Sequence, residues 1–145
     1  MGAAARLGVM VAAVALAACS EAADIAPQSL PRSEITVGSY NVAVQVADDN
    51  AERSKGLMFA KTMPENEGML FVWPEAEVRS FWMRNTYLPL DLLYIRGGEI
   101  VKVISWARPL DETPLTSGEP VDTVLEMNGG WAVKHGIGVG DRVRY

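Results

Sequence analysis

The 145-residue sequence has one cysteine, Cys19, and one histidine, His135. A single cysteine excludes a disulfide framework and a cysteine-based zinc site. A single histidine excludes metal centres built from two or three histidines. The sequence also lacks a glycine-rich phosphate-binding loop and a Gly-x-Ser-x-Gly nucleophile motif. These absences remove the commonest metal, nucleotide and serine-nucleophile enzymes, and we expect no metal and no cofactor.

Basic residues are also few. The chain has 13 Lys and Arg against 18 Asp and Glu, a net charge of −5. Nucleic-acid binding needs clustered Lys and Arg, so we expect no nucleic-acid partner. The length and the 49% hydrophobic content suit one globular domain with its own core.

The N-terminus reads as a targeting segment. After one charge at Arg6, an apolar run extends from Leu7 to Ala18, which is too short to span a bilayer but suits a signal peptide. The run ends in Leu16-Ala17-Ala18-Cys19, which resembles the processing box of bacterial lipoproteins; a plain secretory signal is the alternative. We therefore predict a signal peptide over residues 1–18, lipidation at Cys19, and anchoring on the periplasmic side of the cell envelope. Ser20 after the cysteine favours the outer membrane.

The remaining sequence divides into a tether and a domain. Residues 19–33 are rich in Ala, Ser and Pro and have no hydrophobic period, which predicts a flexible, lipid-anchored tether. A single β-rich domain is predicted over residues 34–145. Its short apolar or alternating runs, such as Val42 to Val46 and Met69 to Trp73, are bounded by Gly and Pro and predict about eight short strands.

Two short helices complete the predicted domain. One lies near residue 52, where Asp49 and Glu52 have capping-box spacing and Gly56 is a C-terminal stop; the other covers residues 130–135. The pattern indicates a mainly β fold, either a jelly-roll-like sandwich or a partly open barrel.

Several motifs together resemble one family. They are Gly56-Leu57-Met58, the run Pro64 to Phe71, Ser80-Phe81-Trp82-Met83-Arg84-Asn85-Thr86, Pro89-Leu90-Asp91, the run Val124 to Trp131, and the run His135 to Asp141. This set is similar to the bacterial and archaeal family known as domain of unknown function 192, over about Ser39 to Val143. The resemblance implies a β-rich jelly-roll or open-barrel fold with short helices. It implies no activity, cofactor or catalytic residue.

Charged side chains on apolar strands are the candidate functional residues. Trp82 and Arg84 share a strand face by the period of two. Asp91 lies inside an apolar strand and must be paired or face water, and Arg84 is its nearest candidate partner. The pair is either a structural bridge or hydrogen-bond clasp, or part of a pocket in which Arg84 binds a carboxylate or phosphate.

Glu126 precedes Asn128-Gly129-Gly130, where exposed backbone amides could form an anion seat at the start of a helix; Asn128 as a helix cap is the alternative. We predict a non-enzymatic binding module for a small anionic molecule, a peptide terminus or an envelope polymer fragment. Its candidate pocket residues are Trp82, Arg84, Asn85, Asp91, Glu126 and Asn128.

Three other hypotheses remain open. An envelope hydrolase or lyase could use Asp91 or Glu126 with His135, which requires both carboxyl groups at one cleft. A stability or assembly factor would show an exposed apolar patch. A thioether copper(I) site is conceivable, but the pattern favours core packing of the methionines: Met58, Met63, Met69 and Met83.

Overall fold

The structure is a computed structural model that describes residues 25–145. The predicted signal peptide and Cys19 lie outside the described residues. The described part contains seven strands and two short helices: β1 (Arg32–Val37), β2 (Tyr40–Ala47), α1 (Asn50–Lys55), β3 (Glu67–Phe81), β4 (Leu90–Arg96), β5 (Glu99–Ala107), β6 (Leu115–Asn128), α2 (Trp131–His135) and β7 (Val143–Arg144).

The seven strands form one curled sheet in the order β5-β4-β6-β3-β2-β1-β7. All neighbouring pairs are antiparallel except β2 and β3, which are parallel. The two ends of the sheet approach each other through a bridge between Glu99 and Arg142. The fold is therefore mainly β, a half-barrel with two short helices, which confirms the predicted fold class.

Both faces of the sheet are covered. One face packs against Trp131 and Ala132 of α2, and we call it the α2 face; Leu93, Leu125 and Met127 lie in its core. The other face lies beneath α1 and the residues that follow it, and we call it the α1 face. Its buried core consists of Ala47, Leu57, Met69, Phe71, Met83, Leu90, Leu92, Tyr94, Ala107, Val121 and Val124. Central strands buried on both faces read as continuous apolar runs, as Leu90 to Ile95 does.

The strand β3 corrects one prediction. The sequence predicts separate strands before Pro74 and around Phe81, yet β3 runs through Pro74 as one element. Its pairing with β6 is interrupted between Val72 and Glu77. Proline is tolerated in such an irregular stretch because no ladder hydrogen bond is required there.

The helix α1 lies in the crossover between the two parallel strands. Parallel neighbours cannot be joined by a tight turn, and residues 48–66 make the connection. The predicted capping box is confirmed: the Glu52 amide donates to Asp49 Oδ1 over 2.8 Å, and the Asp49 amide donates to the Glu52 carboxylate. The Gly56 amide closes the helix on the Glu52 carbonyl.

Contacts with the domain begin before β1. The Gln28 side chain donates to the carbonyls of Glu52 and Gly56, and the Leu30 amide donates to Gln45 Oε1. These hydrogen bonds lie on the N-terminal side of residue 34, where the sequence predicts the domain to start. Among residues 25–145, no helix is both long and apolar enough to cross a membrane.

Candidate functional site

A cavity with a volume of about 470 Å³ lies on the α1 face. It is enclosed by α1 and residues 55–58, by β3, and by the start of the loop after β3. Its charged lining residues are Arg53, Lys55, Arg79 and Glu126. Four aromatic side chains also line it: Phe71, Trp73, Phe81 and Trp82. This volume and mixture are typical of small-molecule sites.

Glu126 lies at the buried end of the cavity. Its neighbours across the sheet are Met69 and Leu92, both in the core of the α1 face. The residue is 4% exposed, and its carboxyl group has no hydrogen bond or ion pair within residues 25–145. Burial raises the pKa of Glu126 to about 8, because the charged form is poorly solvated there.

Arg79 lies in the part of β3 that follows the irregular stretch. Its guanidinium pairs with Glu77 at 2.9 Å, donates to the Glu75 carbonyl, and stands 4.4 Å from the centre of the Trp73 ring. Its Nε is buried and has no hydrogen-bond partner in the described chain. Since buried donors are nearly always paired in native proteins, this Nε–H is an unmet hydrogen-bond donor in a side chain that lines the cavity.

Arg53 contacts the same tryptophan from α1. Its guanidinium lies 5.3 Å from the Trp73 ring centre and donates to the carbonyls of Asp48 and Val72 and to Asn50 Oδ1. These bonds connect α1 to β3. Arg53 therefore fixes α1 over the cavity, whereas the Nε of Arg79 has no hydrogen-bond partner in the described chain.

No local sequence pattern marks Arg53, Trp73 or Arg79 as cavity residues. The sequence pattern predicts a connection between two strands at Arg79. Arg53 lies in a helix of only six residues, whose position over the sheet the sequence pattern does not indicate. Only the parallel pairing of β2 and β3 places α1 over this part of β3. No local sequence signal encodes that pairing.

Asp91 has a structural role on the opposite face. Its carboxylate accepts three backbone hydrogen bonds of 2.9 Å, from the amides of Trp106, Gly130 and Ala132. Two of these amides belong to the start of α2 and one belongs to β5. The Asp91 carboxylate is therefore fixed by backbone amides, and neither form of the predicted Asp91–Arg84 pair is present.

The predicted pairing of Arg84 with Asp91 is wrong. Arg84 is half exposed, lies 3.9 Å from Glu112, and has its guanidinium 5.4 Å from the Trp82 ring centre. Asp91 is buried and already accepts three backbone hydrogen bonds, so it does not require a guanidinium partner.

The other predicted pocket residues are spread over the α1 face. Trp82 lines the cavity together with Glu126. Asn85 has a left-handed backbone (φ 54°) and accepts the Phe59 amide on its carbonyl. The Asn128 side chain donates to the carbonyls of Met63 and Pro64, so it fixes the chain that follows α1 and does not cap α2. Of the six predicted residues, the structure brings Trp82 and Glu126 together at the cavity.

The predicted acid–base pair is not assembled. Asp91 is opposite Met127 and Leu92 is opposite Glu126, so the carboxyl groups of Asp91 and Glu126 point to opposite faces of the sheet. His135 stacks on Trp131 at 4.5 Å, and its Nδ1 lies 2.8 Å from the Trp131 carbonyl oxygen. The hydrolase or lyase hypothesis that needs these groups at one cleft is therefore wrong.

Two further features bear on the alternatives. Within residues 25–145, no group of three His, Cys, Asp or Glu side chains is placed to hold a metal ion. Large apolar side chains are exposed near the loops after β3 and β5: Trp82, Tyr87, Trp106 and Leu110. Their use as a partner surface stays a prediction.

The structure is a small β-rich domain with a cavity whose lining is both aromatic and basic. The chain belongs to the DUF192 family, described as uncharacterized, whose model matches residues 33–145. No curated protein matches the chain significantly.

Two solved structures are similar. One, from Sinorhizobium meliloti, carries the name "putative transcription regulator"; it is 36% identical, with a TM-score of 0.77, and the match covers 80% of this chain and 95% of that one. The other is a protein of unknown function from Novosphingobium aromaticivorans, 37% identical with a TM-score of 0.76, over 80% of this chain and 86% of that one.

Proposed function

We propose that the protein is an envelope lipoprotein that acts as a non-enzymatic binding module, and that the cavity beneath α1 takes a small ligand with an anionic group. The observation that carries this proposal is Arg79, which lines the cavity and whose buried Nε has no hydrogen-bond partner in the described chain. A guanidinium with an unused donor is suited to carboxylate or phosphate oxygens.

The charge of the cavity supports an anionic ligand. Arg53, Lys55 and Arg79 all line it, and Glu126 is its one acidic residue. Because burial raises the pKa of Glu126 to about 8, that carboxyl is mostly neutral at pH 7 and does not cancel the basic side chains. The lining therefore holds more basic than acidic side chains, although the chain as a whole is acidic.

The aromatic lining supports a ligand with an apolar ring or chain. Phe71 contacts Phe81 edge-on with ring centres 5.0 Å apart, and Trp73 and Trp82 complete the wall. The name of the Sinorhizobium relative refers to transcription, but a net charge of −5 does not favour DNA binding here.

The proposal is tested by titrating the purified full-length protein with 4-cyclohexylbutyrate, which combines a ring, a chain and one carboxylate. We expect saturable NMR shifts of the Arg79 Nε–H and the Trp73 indole N–H. Arg79→Gln should abolish the shift of the Trp73 indole N–H, and Arg79→Lys, which keeps the charge but lacks the guanidinium Nε–H, should raise the Kd read from that shift about tenfold. The matched control is Arg144→Gln, an exposed arginine on β7. Shifts that persist in Arg79→Gln, or their absence in the wild type, contradict the proposal.

A further inference from the structure

Arg79 and Glu126 line the same cavity from different positions along the β3–β6 pair. Val78, the residue before Arg79 on β3, pairs with Pro120 on β6. Glu126 lies six positions further along β6 than Pro120. At about 3.3 Å per residue, the backbones at these two positions are up to about 20 Å apart. The basic side chains also have no resolved effect on the pKa of Glu126, for which burial is the cause. Glu126 and Arg79 therefore line the cavity at different points along the sheet.

The buried end suits a hydroxyl group. A ligand carboxylate can hydrogen-bond to Glu126 only when the glutamate is protonated, and a ligand ammonium pairs only with the ionised form that burial disfavours. A hydroxyl both donates and accepts, so it can pair with either form. An ammonium is further disfavoured because three basic side chains already line the cavity.

The remaining lining suits a sugar ring. Trp82 is 48% exposed and lines the cavity, so it offers a flat apolar surface to the C–H face of a pyranose. Small polar side chains also line the cavity: Asn50, Ser54, Ser80 and Thr86. The volume of about 470 Å³ leaves room for more than one ring.

Resting on the binding function proposed above, we propose that the ligand is an acidic oligosaccharide, with ring hydroxyls bound to Glu126 and a carboxylate at Arg79. Glu126 is then the residue that determines specificity for hydroxyl-bearing ligands. Arg79 supplies binding energy for the acid whatever the rest of the ligand is.

The test compares three carboxylates in calorimetric titrations of the full-length protein. Lactobionate has a pyranose at one end and a carboxylate at the other, 4-cyclohexylbutyrate lacks the hydroxyls, and 6-aminohexanoate carries an ammonium instead. We expect lactobionate to bind at least about tenfold more tightly than either of the others, which corresponds to one well-placed hydrogen bond in a buried site. Lactose, which has no carboxylate, should bind more weakly than lactobionate.

Variants of Glu126 separate this inference from the proposed function. Glu126→Met should remove the advantage of lactobionate and leave 4-cyclohexylbutyrate binding in place, and Glu126→Gln, which still hydrogen-bonds, should restore most of that advantage. If lactobionate and 4-cyclohexylbutyrate bind equally and Glu126→Met changes neither, the sugar inference is overturned and the anion-binding function stands. Tighter binding of 6-aminohexanoate also overturns it. If none of the three binds, both proposals are overturned.

Discussion

Asp91 and Glu126 lie on neighbouring strands, one residue out of register, so that their carboxyl groups occupy opposite faces of one sheet. Asp91 is surrounded by backbone amides that donate to it, whereas Glu126 is surrounded by apolar side chains and a cavity. Two buried acids of similar size therefore have opposite energetic roles. One stabilises the fold as an anion, and the other is costly to the fold when ionised.

Asp91→Asn is expected to destabilise the protein by on the order of 2–4 kcal/mol. The amide can accept on its oxygen, but its NH₂ group must then face the N–H of Gly130 or Ala132, where no acceptor is present. Urea unfolding followed by circular dichroism measures the effect. The control is Asp122→Asn, which affects an exposed hydrogen bond from the Gly97 amide and should cost under about 1 kcal/mol. Equal losses in the two variants contradict the role assigned to Asp91.

Glu126 makes stability depend on pH in the opposite sense to an ordinary ion-paired acid. Its pKa is about 8 in the folded protein against 4.5 as a model value, so the folded state holds the proton more tightly. Its stabilising contribution is complete below pH 4.5 and is lost as the pH rises through 8, by up to about 5 kcal/mol in all.

Glu126→Gln should remove this loss, so the variant should be more stable than the wild type at pH 9. Free energies of unfolding measured between pH 5 and pH 9 test the slope. Glu34→Gln, at an exposed position of β1, should leave the slope unchanged. A wild-type stability that is flat or rises over this range would count against a buried, protonated Glu126.

Gly130→Ala should destabilise the protein more than Gly136→Ala. Both glycines have positive φ (86° and 64°), but a Cβ on Gly130 would lie 2.5 Å from Trp106 Cζ2, whereas one on Gly136 meets nothing within 4 Å. We expect a cost of about 1–2 kcal/mol at Gly136 from backbone strain alone and about 2–3 kcal/mol more at Gly130. Thermal unfolding gives both values. In a Trp106→Ala background the extra cost of Gly130→Ala should disappear. If the extra cost persists, steric overlap of the new Cβ with Trp106 is not its cause.

Cys19→Ser should release the protein from the membrane fraction. The wild-type chain, expressed in a Gram-negative bacterium, is expected to incorporate labelled palmitate and to partition into the detergent phase, because two or more acyl chains anchor stably. The variant should take up no label. If the wild type is found unlabelled in the soluble periplasm, the plain secretory signal is the better interpretation of residues 1–18.

Local patterns in the sequence predicted the parts of the fold that depend on local physics. The alternation of Val42 and Val44 in β2 and the capping box of Asp49 and Glu52 are present as predicted. The predicted partner of Asp91 was wrong because its actual partners are backbone amides of distant elements, and the spacing of side chains in the sequence cannot indicate them. The position of Arg79 depends on a strand that continues through Pro74, against the usual effect of proline.

The single parallel pair of strands, β2 and β3, has a consequence for how ligand binding can evolve in this fold. An antiparallel pair at this place could be closed by a two-residue turn, and the α1 face would then be an open sheet surface. Parallel pairing requires the long crossover over residues 48–66, which contains α1 and covers the cavity. Because this crossover lies at the surface, its sequence can vary while the sheet beneath it stays constant. Relatives with the same strands can therefore differ in the side chains that line this cavity.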